Sequence, residues 1–264
     1  MTRRRAAAEG SAALIVRNTL VSGVGGFAAV LAPLILTPLL IDRLGVEAYA
    51  VWIFATTLTL SAGYLSLADL GVQQAAVRFI ADARSAGDMT RANEFFSTSF
   101  ALFLAIAVVA APAIALASPA IVGLFGIHEG IADHATLSFQ IVAASLLFDL
   151  PSLAYRSMLE GTQHYVAVRI VDLVRVLLVS VGTVAALLLG YGLVALAVVS
   201  LAAAAFALGA SALAVKLVVP DSDLARRHVG RRHFRKLMTF GGALFSLRIV
   251  SVIYRQMDRV IVAL

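Results

Sequence analysis

Four charged residues stand in an apolar setting in SLRIVSVIYRQMDRVIVAL, Ser246 to Leu264. Read as a helix, Arg255 and Arg259 lie about 20° to either side of Arg248, and Asp258 lies about 80° away. A charge at the centre of a bilayer costs at least about 2.5 kcal/mol. A stripe of three arginines is therefore expected to face other helices or water, with Arg248 and Arg255 lining an interface or cavity. For Arg259, near the outer end, a side chain reaching back to the membrane surface is an equal explanation.

Other apolar blocks carry charges too. Asp149 and Arg156 are seven residues apart, on one face, with Pro151 between them. They read either as an internal ion pair holding a kinked helix or, at Asp149, as a proton- or ion-coupling carboxylate. Arg169, Asp172 and Arg175 fall at i, i+3 and i+6. Interfacial anchoring explains Arg169 but not Arg175, which lies about 9 Å deeper along the helix. Asp69, in SLADLGVQQAAVRF, forms a polar segment with Gln73, Gln74 and Arg78. That segment is a solvated helix end or a gate. Arginine presents a planar fork of donors that matches phosphate oxygens, so this collection suits an anion, above all a phosphate or diphosphate, and suits a cationic drug badly.

Enzyme chemistry has little to stand on. There is no P-loop and no GxSxG, and HEGIADH puts His128 and His134 six apart, not at the i, i+4 spacing of a zinc protease. The expectation is no enzyme, no cofactor and no metal. His164, His228 and His233 are expected in loops without a partner pattern. The absence of cysteine excludes disulfides and thiolate ligands.

Composition says what must hold these charges. Of 264 residues 61% are hydrophobic and 14% charged, with a mean hydropathy of +0.95. Soluble domains carry roughly 25% charge. The expected fold is all-α, a polytopic membrane helix bundle. Seven apolar blocks are long enough to span, at roughly 19–41, 49–68, 96–117, 137–159, 170–189, 192–215 and 239–264. The second is expected to continue as an amphipathic helix through Arg78. The apolar run after MTRRR is too long for a signal peptide and reads as a retained first helix. Pro33, Pro38, Pro112 and Pro151 fall inside proposed spans, as kinks or as the breaks found in transporters.

With the N-terminus inside, the inner segments hold sixteen Lys and Arg residues and the outer ones hold Arg43 alone. That bias supports a cytoplasmic N-terminus and an even number of spans before the basic loop 216–236. The net charge of +6 then marks a membrane face beside anionic lipid, and no nucleic-acid partner is expected. The chain divides into a six-helix lobe at 1–215, a basic cytoplasmic linker at 216–238 and a further helix at 239–264. Gly25-Gly26 and Asp42-Arg43 recur as Gly241-Gly242 and Asp258-Arg259 at an offset of 216. A second structural repeat is expected to begin there, which makes the sequence read as a fragment of a protein of about twelve or more spans.

Several stretches resemble one family. RNTLVSGVGGF, LTPLLIDRLGVEAYAVWIF and LSLADLGVQQAAVRFIA, the last followed by Gly87-Asp88, resemble the start of polysaccharide-export flippases. These are the Wzx-like members of the MOP exporter superfamily. YRSMLEGTQHYVAVRIVDLVRVLL resembles the join between their fourth and fifth spans, and FGGALFSLRIVSVIYRQMDRVIVAL their seventh helix. The resemblance implies a MATE-like bundle of two six-helix lobes around a central cavity, working by alternating access. Here the first lobe and one helix of the second would be present. It implies an undecaprenyl-diphosphate-linked oligosaccharide as substrate, moved from the inner to the outer leaflet of a bacterial cell membrane, with polysaccharide assembly proteins and a coupling proton or cation as partners. Carried onto this sequence, the headgroup contacts are Arg248 and Arg255, then Arg175 and Arg156. The coupling or structural carboxylates are Asp149, Asp172, Asp258 and Asp69. The alternatives are a MATE-like drug/cation antiporter and a membrane-embedded glycan ligase or polymerase.

Overall fold

The computed structural model describes the backbone over residues 34–57, 70–124 and 129–263, and side chains over 34–56, 70–124 and 130–247. The described residues form α-helices, one 3-10 turn and no strand. The helices are α1 (34–44), α2 (Val46–Thr57), α3 (Val72–Ser85), α4 (Met89–Leu124), α5 (Glu129–Gly161), α6 (Tyr165–Leu188), α7 (Leu193–Val218) and α8 (Arg231–Ala263).

Four of them, α4 to α7, are long and apolar enough to cross a membrane. They cover the expected blocks 96–117, 137–159, 170–189 and 192–215. Long apolar helices hold together here for a simple reason. Nearly every backbone group inside them is satisfied within the segment, and interior breakers are few. Pro112 and Pro119 sit inside α4 and Pro151 inside α5 without ending either helix. Pro119 removes the donor that would reach the carbonyl of Ala115, and Ser118 Oγ supplies one instead at 2.8 Å.

α5 is the central helix. Its apolar stretch is 56% buried, against 17% for those of α4 and α6. It packs on α4 along one side and α7 along the other, and α6 packs mainly on α7. The outward faces carry Val109, Leu116, Val181 and Leu213 in the open. Such broad apolar surfaces on three helices are stable in lipid and not in water.

Two cores occupy opposite ends of the bundle. One gathers Ala83, Ala92, Phe95, Met158, Val168, Val215 and Leu237. The other gathers Leu40, Trp52, Val122, Phe139, Leu187 and Leu193. The α3–α4 and α5–α6 turns, the end of α7 and the start of α8 thus share the first end. Arg84, Arg91, Arg156, Arg169, Lys216 and the arginines of early α8 collect there, while Arg43 belongs to the other end. The charge asymmetry read along the chain is a property of one face of the bundle.

Two expectations change. The amphipathic helix exists, but as a separate element. Leu70 and Gly71 take left-handed backbone, with φ of 50° and 70°, and α3 starts afresh at Val72 and runs to Ser85. The connection before the last helix is shorter than 216–238. α7 persists to Val218, and α8 begins at Arg231, so Arg231, Arg232, Arg235 and Lys236 are helical. The connection is docked on α4. Buried Asn93 donates to the Asp221 carbonyl at 3.0 Å, Ser97 bonds both the Asp223 carbonyl and the Ala225 amide, and Thr98 Oγ1 accepts from Gly230 N at 3.3 Å. Three small polar residues of α4 thus satisfy backbone that would otherwise be exposed at the membrane edge.

α8 crosses α3 at two glycines. A Cβ added to Gly71 would lie 2.4 Å from the Gly241 carbonyl oxygen, and one on Gly241 would lie 3.0 Å from that of Leu70. Small residues let helix backbones approach this closely. The first and last copies of the proposed repeat can be compared at one end only. Gly241 has this packing role, and Gly25-Gly26 lies outside the described residues.

Candidate functional site

α5 and α6 each contribute one acid and one base to a paired arrangement. Arg156 grips Asp172 with both terminal guanidinium nitrogens, at 2.8 and 2.7 Å, and its Nε donates to Glu160 at 3.0 Å. Farther along, Arg175 Nη2 stands 2.8 Å from Asp149 Oδ1. Arg169 reaches Asp172 at 3.5 Å. The helices run antiparallel after the short turn at 162–164, so the basic position of each helix meets the acidic position of the other. The pairing therefore differs from the expected Asp149–Arg156 pair. Seven residues on one helix separate two side chains by about 10 Å, beyond direct contact, whereas the neighbouring helix offers partners within reach.

α6 touches α5 only sparsely apart from these contacts. The long arginine side chains bridge the gap. The two pairs differ in character. Arg156 and Asp172 are each roughly one-third exposed, and their bidentate geometry is well formed. Asp149 is 1% exposed, with Arg175 as its ion-pair partner. Among the described residues Arg175 is the one cation paired with this buried carboxylate, so the two depend on each other.

The sequence reading missed Glu160 as a partner. Its signal was the i, i+4 spacing from Arg156 in RSMLE. With Glu160 included, Arg156, Arg169 and Arg175 face Asp149, Asp172 and Glu160, and the cluster is charge-balanced. An anion reaching Arg156 or Arg175 has to replace a carboxylate.

The remaining expected residues are on α8 and at Asp69. α8 is helical through Ala263, so its backbone register sets Arg248, Arg255 and Arg259 along one face. Their side chains and that of Asp258 lie outside the described residues, as does Asp69 altogether.

The histidines have partners the sequence did not suggest. His233 lies on α8, not in a loop. Its Nε2 meets Glu94 Oε2 at 3.2 Å and its ring stacks edge-on against Phe95 at 4.8 Å. Asp88, Arg91, Arg232 and Lys236 join His233 and Glu94 around a pocket of about 520 Å³. Burial pushes the His233 pKa below its ordinary value. Glu94 opposes that shift, and Lys236, Arg232 and Arg91 add to it. His164 closes the α5–α6 turn with Nδ1 2.9 Å from Thr162 Oγ1, and burial and then Arg84 push its pKa down. His228 Nδ1 lies 3.3 Å from the Asp223 carbonyl.

Known structures share this fold. The chain is similar to a MOP superfamily transporter from Pyrococcus furiosus whose binding pocket is described as reversed in polarity, with a TM-score of 0.67 and 18% identity. The match covers 86% of this chain and 50% of that one. It is also similar to a multidrug resistance MATE family transporter of the same superfamily in an inward-facing conformation, with a TM-score of 0.64 and 17% identity over 85% of this chain and 48% of that one. The chain thus spans about half the length of the structures it matches. Curated proteins give no match. A family model described as polysaccharide biosynthesis protein matches residues 15–264. The helical bundle, its one-sided charge and this match over nearly the whole length agree: the chain belongs to the polysaccharide biosynthesis protein family, on the fold of the MOP superfamily transporters.

Proposed function

We propose that the whole protein is a non-enzymatic membrane transporter. It flips an undecaprenyl-diphosphate-linked oligosaccharide from the inner to the outer leaflet of a bacterial cell membrane, with its N-terminus in the cytoplasm. The observation that carries this reading is the match of residues 15–264 to a polysaccharide biosynthesis family on a transporter-type bundle. In this reading Arg248 and Arg255 take the diphosphate from one face of α8. The α5–α6 cluster responds to a coupling proton or cation, with Asp149 as the titrating group and Arg175 as the cation it releases. Arg156 and Asp172 hold the two helices in register, and Arg156 meets the headgroup only if Asp172 lets go. Assembly proteins for the surface polysaccharide would receive the product. Flipping then consists of exchanging lost phosphate hydration for arginine donors.

The test is reconstitution of the whole protein in liposomes with a fluorescent lipid-diphosphate oligosaccharide. Native protein should move the lipid between leaflets, and Arg248→Ala and Arg255→Ala should slow it at least about tenfold while remaining folded. Transport of cationic dyes with no movement of the lipid would reassign the protein as a drug antiporter. New glycosidic bonds in the same assay would reassign it as a ligase.

A further inference from the structure

The first two turns of α8 concentrate charge without compensation. Arg231, Arg232, Arg235 and Lys236 have no carboxylate partner among the described residues. The nearby acids are already engaged, Glu94 with His233 and Asp82 with Arg91. The four cations also stand at the positive end of the α8 dipole, where cations are disfavoured.

These cations line a groove of about 1140 Å³ that runs along the start of α8 beside Phe79 of α3. The four cations lie at one end of it. Phe79, Met238, Phe240 and Ala243 line its length. The aromatic wall is fixed. Phe240 packs edge-on against Phe79 at 5.8 Å, Phe79 stacks on Phe95 at 4.8 Å, and the Arg78 guanidinium lies 4.2 Å over the Phe240 ring. From Arg232 to Ala243 the helix advances about 16 Å, the distance from a headgroup well into an acyl chain.

Each simpler occupant leaves half the groove unsatisfied. Water or inorganic phosphate would wet the aromatic wall, and a neutral lipid would leave four cations unpaired. We propose that the α3–α8 groove binds an anionic phospholipid, its phosphate held by Arg231, Arg232, Arg235 and Lys236 and an acyl chain laid against Phe79, Met238 and Phe240. The lipid then pins the start of α8 to α3 at the membrane surface. The inference requires the membrane setting and is independent of the transported substrate.

The experiment uses the whole protein in nanodiscs of phosphatidylcholine and phosphatidylglycerol at 3:1, with trace spin-labelled phosphatidylglycerol or phosphatidylcholine. Electron paramagnetic resonance reads the immobilised fraction. Labelled phosphatidylglycerol should be immobilised in preference to phosphatidylcholine. Each neutralised arginine should weaken that preference about fivefold, so Arg231→Gln with Arg235→Gln should nearly abolish it. Met238→Trp, which fills the groove and leaves every charge in place, should also release the lipid. Thermal melting of the variants checks that they are folded. Equal immobilisation of both lipids overturns the proposal, as does a preference that survives in the double variant. Displacement by millimolar inorganic phosphate would make this a free-anion site. Displacement by a polyprenyl diphosphate at far lower concentration would make it a site for the carrier lipid. Either outcome also overturns the phospholipid assignment.

Discussion

The Asp149 carboxylate, 1% exposed, lies 2.8 Å from Arg175 Nη2. Removing Arg175 leaves that carboxylate buried and uncompensated. Arg175→Gln should therefore destabilise the protein by about 3 kcal/mol, and adding Asp149→Asn should recover most of the loss. Thermal melting in detergent of the two single variants and the double variant measures the coupling. Strictly additive losses would show that the pair does not interact.

Arg156 and Asp172 make a different prediction, because their strength comes from geometry. Lysine keeps the charge of Arg156 but not the two parallel bonds to Asp172 or the third bond to Glu160. Arg156→Lys should cost about 1 to 2 kcal/mol, discounted for partial exposure. Exchanging the two residues, Arg156→Asp with Asp172→Arg, should restore more stability than either change alone allows. A swap no better than its worse component would sink the idea that this pair sets the α5–α6 register.

Gly71 and Gly241 leave no room for a methyl group, since a Cβ on Gly71 would stand 2.4 Å from backbone. Gly71 also has a φ of 70°, which disfavours any L side chain. Gly71→Ala should loosen α8 from α3 and lower stability by about 2 kcal/mol or more. The chain has no cysteine, so Phe79→Cys with Phe240→Cys gives a clean readout. A short bis-maleimide should link α3 to α8 efficiently in the native background and poorly once Gly71→Ala is added.

His233 gives the contact between α8 and α4 a pH dependence with a definite sign. Its pKa in the folded protein is lower than its ordinary 6.5. The unfolded or undocked state then binds the proton more readily. The stability His233 contributes is complete above about pH 6.5 and is lost as the pH falls through that value toward the folded pKa. Hydrogen exchange of residues 219–230 should speed up between pH 7.5 and 5.5, beyond the intrinsic pH effect. His233→Gln should flatten that response. A native protein that docks the connection more tightly at pH 5.5 would reverse the assigned sign.

The docking of that connection has its own test. Ser97 holds it at two points and Thr98 at a third. Ser97→Ala with Thr98→Ala should expose residues 221–230 to limited proteolysis while α4 to α7 remain protected. Cleavage unchanged from native protein would mean that those bonds do not hold the connection.

Hydropathy alone determined a great deal. Because lipid cannot satisfy backbone polar groups, runs of about twenty apolar residues have to be helical. The cores of α4, α5, α6 and α7 were therefore legible one residue at a time, and so was the concentration of Lys and Arg at one end of the bundle. The chemical type of the charged residues was legible for the same reason, since Asp149, Asp172, Arg156 and Arg175 stand out wherever charge is expensive. Pairing was not. Which carboxylate meets which guanidinium depends on the antiparallel register of α5 against α6, and nothing local to either helix states it. His233 and Glu94, 139 positions apart, meet only because the 219–230 connection folds back onto α4. The break at Leu70-Gly71 and the glycine crossing with Gly241 likewise follow from where α8 comes to rest. Composition decided that helices form and where charge is costly. Only the tertiary packing decided which charges neutralise one another and which, at the start of α8, have no carboxylate partner among the described residues.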